Sequence, residues 1–328
     1  MKNSGIIMSA THMKYLSFLL FLVLSGCAFI NVSLVQPPAP LREALIEGEG
    51  RPKILLVDIS GIISEKDGTD GQMLSQKVSI VARIRETLKK AEKDGDIAGV
   101  ILKINSPGGT VAASDIIYHE LIDFKRKKGI PLYACITSLG TSGGYYVATA
   151  ADKIFAHPTA ITGSIGVIAL KFNIEGLLTK IGIENETIKS RDKKDLFSPF
   201  RATTPEEREI IQRIINSMHN RFVDVVFQNR KSLIKREALE ALSDGRIYTS
   251  EQALEAKLVD HIGYLNETID AMKKTLGVKE AKVITYHRLG EYKGTIYSAF
   301  PEQSHILHLL REGFGHFSQI EFMYLWMP

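Results

Sequence analysis

Three nearly unbroken apolar runs of strand length, KILLVDIS from Lys53, IAGVILKI from Ile97 and PLYACIT from Pro131, are separated from one another by segments of helical pattern. A strand that is apolar on both sides needs cover on both sides, and the helices between successive strands supply it. The order therefore predicts an α/β class with a parallel or mixed sheet. In the first spacer Val81, Ile84, Leu88 and Ala91 fall at 3-4-3 spacing, the second is helical from Ala112 to Lys127, and GYYVATAA (144–151) reads as a short helix. Thr204-Pro205-Glu206-Glu207 combines a cap, a first-turn proline and two acids at the positive end of a dipole, and opens a long helix reaching about Arg230. Residues 245–265 predict a turn, a short helix and an extended segment, and residues 266–276 a further helix. The KRKK run at 125–128 closes a helix before Gly129, where positive charge suits the dipole.

Charge and cysteine content narrow the function classes. With 41 basic against 37 acidic side chains among 328 residues, the net charge is +4, and 24% of positions are charged. No long segment joins high charge to few large apolar residues, so disorder and a polybasic nucleic-acid binder are both disfavoured. Cys27 and Cys135 allow one disulfide at most, which excludes a cystine-stapled fold and a cysteine-rich zinc site. Cys135, within a predicted strand, reads as a small core residue. Histidines and acids do not cluster at ligand spacings, so no metal or organic cofactor is expected.

The N-terminus points to the cell envelope. YLSFLLFLVL (15–24) follows Lys2, His12 and Lys14 and precedes Ser25-Gly26-Cys27, a secretory pattern. It resembles a bacterial lipoprotein signal, with Leu24-Ser25-Gly26 before the cleavage point and Cys27 as the lipidation candidate. Continued through AFINVSLV, the same stretch gives roughly twenty residues, enough for an uncleaved spanning helix. Both readings tether the protein with its body outside the cytoplasm; a buried core helix is the third. Residues 1–35 are thus read as signal or anchor, and 36–52 as a Pro- and Gly-bearing spacer. A folded domain at 53–285 follows, then a tail at 286–328 rich in aromatics and histidines.

Three glycine-bearing turns follow strand-like segments: Asn105–Gly109, Ser138–Gly144 and Thr162–Gly166. Strand ends of this kind line the site in α/β folds. Small residues leave backbone N–H groups uncovered, as an oxyanion requires. Ser142, followed by glycines and a helix, fits an exposed nucleophile best. Glycines that merely allow tight connections are the plainer reading of any one turn. A nucleotide-binding reading fails, because neither G-x-x-x-x-G-K-[ST] nor G-x-G-x-x-G with a suitably placed acid occurs.

A nucleophilic serine needs a base. His119 and His157 are the histidine candidates, and neither has an obvious acidic orienter in sequence. The alternative is a lysine kept neutral by burial. Among the lysines of KSRDKKDLFSPF (189–200), Lys194 leads directly into Leu196, Phe197 and Phe200, although by composition alone the segment looks like a solvated loop.

Taken together, INSPGGTV, SLGTSGGYYVATAADKIFAHPTAITGSIGV, KKDLFSPF and DGRIYTSEQALEAKLVDHIG resemble the short form of bacterial signal peptide peptidase, over about Lys53 to Lys274. The resemblance implies the Clp protease/crotonase fold of repeated β-β-α units. By position it implies Ser142 as nucleophile, Lys194 as general base, Ser164 as the residue that holds the lysine, and the amides of Gly109 and Gly143 as oxyanion donors. It implies a membrane-tethered serine endopeptidase for hydrophobic peptides such as cleaved signal peptides, with Tyr145 and Leu196 lining the site. It also implies a ring-shaped homo-oligomer in which neighbouring subunits supply serine and lysine, aided by the long helix from Pro205. A crotonase-like acyl-CoA enzyme and a catalytically inactive membrane scaffold of the same fold are the rival readings. The first predicts catalytic carboxylates and a cytoplasmic address, against which Ser142 and the secretory N-terminus stand; the second predicts a lost serine or lysine, and Ser142 and Lys194 are both present.

Overall fold

The computed structural model describes residues 39–66, 68–69, 76–288, 294–298 and 321–327. Tyr15–Leu24 and Cys27 lie outside them. The strands are β1 (Arg42–Glu47), β2 (Lys53–Ser60), β3 (Gly68–Thr69), β4 (Gln76–Lys77), β5 (Ile97–Ser106), β6 (Gly108–Thr110), β7 (Leu132–Thr141), β8 (Lys153–Ala156), β9 (Ile161–Gly163), β10 (Ile168–Ala169), β11 (Ile247–Thr249), β12 (His261–Ile262), β13 (Lys282–His287) and β14 (Phe322–Leu325). The helices are α1 (Ile80–Glu92), α2 (Val111–Lys128), α3 (Gly143–Ala148), α4 (Glu175–Lys180), α5 (Pro205–Arg230), α6 (Arg236–Leu242), α7 (Ser250–Glu255) and α8 (Leu265–Leu276).

The main sheet runs β1-β13-β2-β5-β7-β8-β12, with β9 beside the far end of β7 and β11 beside β9. Its pairs are parallel from β13 through β12, and antiparallel only at β1/β13 and β11/β9. The class is mixed α/β with a parallel-rich sheet. Both sides are covered: Leu55, Val57, Val100 and Leu102 enter one core with α1, α2 and α3, while Ile54, Leu56, Ile101 and Tyr133 enter a second beneath α8. That division by odd and even positions is why the strands read as continuous apolar runs.

The helix ends follow their sequence signals. Thr204 caps α5 in a reciprocal box, its hydroxyl accepting from Glu207 N at 3.2 Å while its own N–H donates to Glu207 Oε2 at 3.0 Å. Helix α2 ends in left-handed Gly129, with the KRKK run in its last turn. Among the described residues no helix is long and apolar enough to cross a membrane.

Two segments have more order than their sequence suggests. Arg42–Glu47, inside the expected spacer, is an edge strand on β13, and Phe322–Leu325, inside the tail, is the central strand of a second sheet ordered β10-β14-β6. That second sheet borders the glycine turns.

Candidate active site

Strand β7 is paired twice. Its first half, Tyr133–Ile136, runs beside β8, and its last residues, Leu139–Thr141, diverge to run beside β9. The divergence carries the chain out of the sheet at Thr141 and into α3 at Gly143, with Ser142 at the corner. Ser142 has φ 52° and ψ −116°, a conformation a non-glycine residue adopts at a cost. It is held there by Ser142 N donating to Gly163 O at 2.7 Å and by Tyr146 N donating to Ser142 O at 2.9 Å. Its side chain makes no cap bond to α3, so the hydroxyl is not spent on the helix, but the residue is 1% exposed, buried where the sequence predicts an exposed hydroxyl.

Ser164 ends the neighbouring strand in the same way, at φ 52°, with its N–H on Arg246 O at 2.8 Å. The Thr141–Gly163 pairing brings the two serine corners together at one end of the sheet.

The SPGG turn closes on this corner from β5. A Cβ on Gly109 would lie 1.9 Å from Ile63 O, and one on Gly108 would lie 1.9 Å from Tyr324 O and 2.8 Å from Gly143 N. A Cβ on Gly143 would meet Ser114 Oγ at 2.4 Å and Tyr324 O at 3.1 Å. Glycine at these positions is thus a matter of space: backbones converge where side chains would stand. The Gly108 and Gly143 backbones are brought to one place, with Gly109 next in the chain and paired with Tyr324.

What lies against them is the backbone of β14. Tyr324 pairs with Gly109 and Leu325 with Gly108 in antiparallel register, and Trp326 N donates to Pro107 O at 2.9 Å. The Tyr324 side chain is fully buried, stacked on Tyr146 with centroids 5.1 Å apart and tilted against Phe222 at 4.6 Å, its hydroxyl donating to Met218 O at 2.8 Å. An extended strand therefore lies along the SPGG edge, one carbonyl against the glycine backbones and one aromatic ring in a pocket beside α3 and α5. Tyr146 donates to Asp115, which also receives Arg221 at 3.0 Å, and burial followed by the Asp115 bond pushes the Tyr146 phenol pKa up.

The aromatic that meets Tyr324 is Tyr146. Tyr145, expected to line the site, turns into the core and donates to Leu258 O at 2.8 Å. Two successive residues on a helix point about 100° apart, so only one of the pair faces the groove. Tyr146, Phe222 and the Asp115–Arg221 pair were not singled out from sequence. Aromatics in an apolar helix carry no mark of which side they serve.

Lys194 lies in a run of turns before α5, with its side chain exposed. No hydrogen bond joins it to Ser142 or Ser164 among the described residues, so one chain does not assemble the expected dyad. Neither histidine replaces it. His119 is exposed and 3.6 Å from Asp123, whereas His157 is buried, with its pKa lowered chiefly by burial and its Nε2 unpartnered. Cys135 is fully buried and its thiol is pushed up to about 12 by burial, as an inert core residue would be.

Comparison with known proteins bears on this constellation. The model of peptidase family S49 matches residues 124–279, which include Ser142, Gly143, Ser164 and Lys194. A signal peptide peptidase SppA of Enterococcus faecium is 38% identical over 245 residues, covering 75% of this chain and 70% of that one. A protease of Methanocaldococcus jannaschii is 33% identical over 276 residues, covering 84% of this chain and 86% of that one. A solved structure of a mutant 1510-N membrane-bound stomatin-specific protease is similar at 15% identity and a TM-score of 0.44, covering 68% of this chain and 85% of that one. Together with the matched region, the extent and identity of these two relatives establish that the chain belongs to peptidase family S49.

Proposed function

We propose that this chain is a serine endopeptidase for extended, hydrophobic peptides, with Ser142 as nucleophile and Lys194, supplied by a neighbouring copy, as general base. The observation that carries the reading is the strand along the SPGG edge. A peptide already lies there in β pairing, with its Tyr324 carbonyl against the backbones of Gly108 and Gly143, one residue from Ser142. A substrate adding in the same way would gain backbone hydrogen bonds along β6 and place one apolar side chain in the Tyr146–Phe222 pocket.

In that geometry neutral Lys194 takes the Ser142 proton as Oγ bonds to the peptide carbonyl carbon, and the Gly109 and Gly143 amides hold the oxyanion. Collapse breaks the C–N bond, and the lysine ammonium protonates the departing amine. Water, giving a proton to the same lysine, then attacks the acyl-enzyme, releases the carboxylic acid and restores Ser142. An exposed lysine is almost wholly charged at neutral pH. Packing a second copy over Lys194 would strip it of water and favour the neutral amine, which supports a ring-shaped homo-oligomer. Ser164, at the matching corner of β9, would accept the amine's remaining hydrogen bond.

The finer fold assignment is the Clp protease/crotonase arrangement. The N-terminal segment would hold the enzyme to a bacterial envelope membrane, through lipidated Cys27 or an uncleaved helix, with the catalytic domain outside the cytoplasm. Cleaved signal peptides are then substrates of fitting chemistry, and nucleic acid is not a partner. Hydrolysis of a signal peptide and of casein by wild type, Ser142→Ala and Lys194→Ala tests the reading: both variants lose activity, and equal rates in all three would refute it.

A further inference from the structure

We infer that Arg201 is the positioning residue for Lys194: by bridging Asp195, the residue after the lysine, to Glu207 in the first turn of α5, it fixes where the loop presents its amine. The inference rests on the proposed role of Lys194.

Besides Arg201, two bonds tie the loop to its neighbours: Ile174 N donates to Pro199 O at 2.9 Å, and Lys193 donates to Glu206 Oε2 at 2.6 Å. Residues 189–200 form successive turns, with Lys194 N donating to Arg191 O, Leu196 N to Lys193 O and Ser198 N to Asp195 O at 3.0–3.1 Å, and with Phe197 at φ 68°. None of these turn bonds reaches a neighbouring helix or strand. The guanidinium of Arg201 does. Its Nε and Nη2 donate to the two oxygens of Asp195 at 2.8 and 2.7 Å, and its Nη1 and Nη2 to the two oxygens of Glu207 at 2.9 and 2.5 Å. Glu207 is almost fully buried and is itself fixed by the Thr204 capping box. From the far end of the loop, Lys189 donates to both Asp195 oxygens at 2.9 and 3.0 Å. Lys171 steadies the Arg201 backbone, donating to Arg201 O at 2.9 Å and Thr203 Oγ1 at 2.6 Å.

A single surface ion pair would be a weak anchor. This one is two-pronged at both ends, and a planar guanidinium loses little freedom in making it. Its second effect is electrostatic. A free carboxylate next to Lys194 would hold a proton on the amine, and Arg201 and Lys189 occupy both oxygens of Asp195. Within the segment, Lys189 is committed to Asp195 and Lys193 to Glu206, at 2.6 Å, whereas Lys194 has no ion pair among the described residues. The cluster holds the loop while leaving one amine unclaimed.

The test uses the full-length chain in detergent, with a fluorogenic apolar peptide, and follows kcat, KM, the pH profile, oligomer size and melting. Arg201→Ala lowers kcat about 10- to 100-fold with KM nearly unchanged and moves the acid limb of the profile to higher pH, because the guanidinium charge is lost and Asp195, then countered by Lys189 alone, favours the ammonium. Arg201→Lys restores part of the rate. Asp195→Asn lowers kcat without the upward shift, since the charge is gone with the clamp. Wild-type kcat and profile in a folded Arg201→Ala oligomer would overturn the inference. If that variant fails to fold, Glu207→Gln decides, because glutamine keeps the cap acceptor but weakens the hold on Arg201; wild-type kinetics there would overturn it equally. Lys194→Ala separates the two levels. An active Lys194→Ala enzyme overturns the base assignment and the clamp with it, whereas an inactive one beside unaffected Arg201 and Glu207 variants overturns the clamp alone.

Discussion

Ser142 and Ser164 end the adjacent strands β7 and β9 with the same left-handed φ of 52°, held by backbone bonds to Gly163 and Arg246. Two non-glycine residues in this conformation at one end of a sheet mark a place where the fold stores strain. At Ser142 the strain lets the chain turn from β7 directly into α3.

Relief of that strain can be measured apart from catalysis. A non-glycine residue at the φ 52°, ψ −116° of Ser142 costs about 1–3 kcal/mol, offset in part by the roughly 0.5–1 kcal/mol that glycine loses on ordering. Ser142→Gly therefore melts at or above the wild-type temperature, whereas Ser142→Ala keeps the strain and does not gain. Both lose peptide hydrolysis by about a thousandfold or more. Scanning calorimetry beside a peptide assay checks both halves.

The glycine turns tolerate no side chain. Gly109→Ala puts a methyl group 1.9 Å from Ile63 O, so the SPGG turn and the Ile63 backbone must move apart. The expected loss is about 1–3 kcal/mol, as for other overpacked sites, with a fall in activity larger than the loss of folded protein explains. Urea melts and active-site titration of the same preparation separate the two effects.

Strand β14 occupies the edge a substrate would use. Removing residues 321–328 uncovers Gly108–Thr110 and the Tyr146–Phe222 pocket, so KM for an apolar peptide falls and kcat/KM rises. The same deletion removes a fully buried tyrosine and lowers stability by about 3–5 kcal/mol, the usual loss for a large aromatic. A synthetic FMYLWM peptide added to the truncated enzyme restores the wild-type rate and raises its melting temperature.

Acid should release the clamp on the lysine loop. Arg201, and next the Thr204 N–H, hold the Glu207 carboxyl down to about 2, and Arg201 with Lys189 holds Asp195 well below the usual carboxylate range. A depressed folded pKa contributes stability that is full above the unfolded value of about 4.3 and is lost as pH falls toward the folded one. Stability therefore declines between about pH 4.5 and 2. Glu207→Gln flattens that part of the curve, which acid-dependent thermal melts would reveal.

The strands β2, β5 and β7 were legible because burial on both faces leaves an unbroken apolar run, and α5 was legible because cap, proline and acids stand together. Strand β1 was not: REALIE is an edge strand with charged outward positions, indistinguishable from a spacer. Strand β14 was hidden because four residues near a chain end reveal nothing of a partner some two hundred residues away. The convergence on Ser142 was visible in the glycine turns. The Arg201 clamp was not, since Asp195, Arg201 and Glu207 lie six residues apart, a spacing that matches no local pairing rule.

The central claim is that Ser142 of one copy is served by Lys194 of the next, and mixing two inactive variants tests it most directly. Ser142→Ala and Lys194→Ala chains, each inactive alone, are dissociated, combined and reassembled. The account predicts that activity returns in the mixture, because some intact Ser142 then faces an intact Lys194 across a subunit boundary. A mixture that assembles to the wild-type size yet stays inactive would contradict it, as would full activity in either variant by itself.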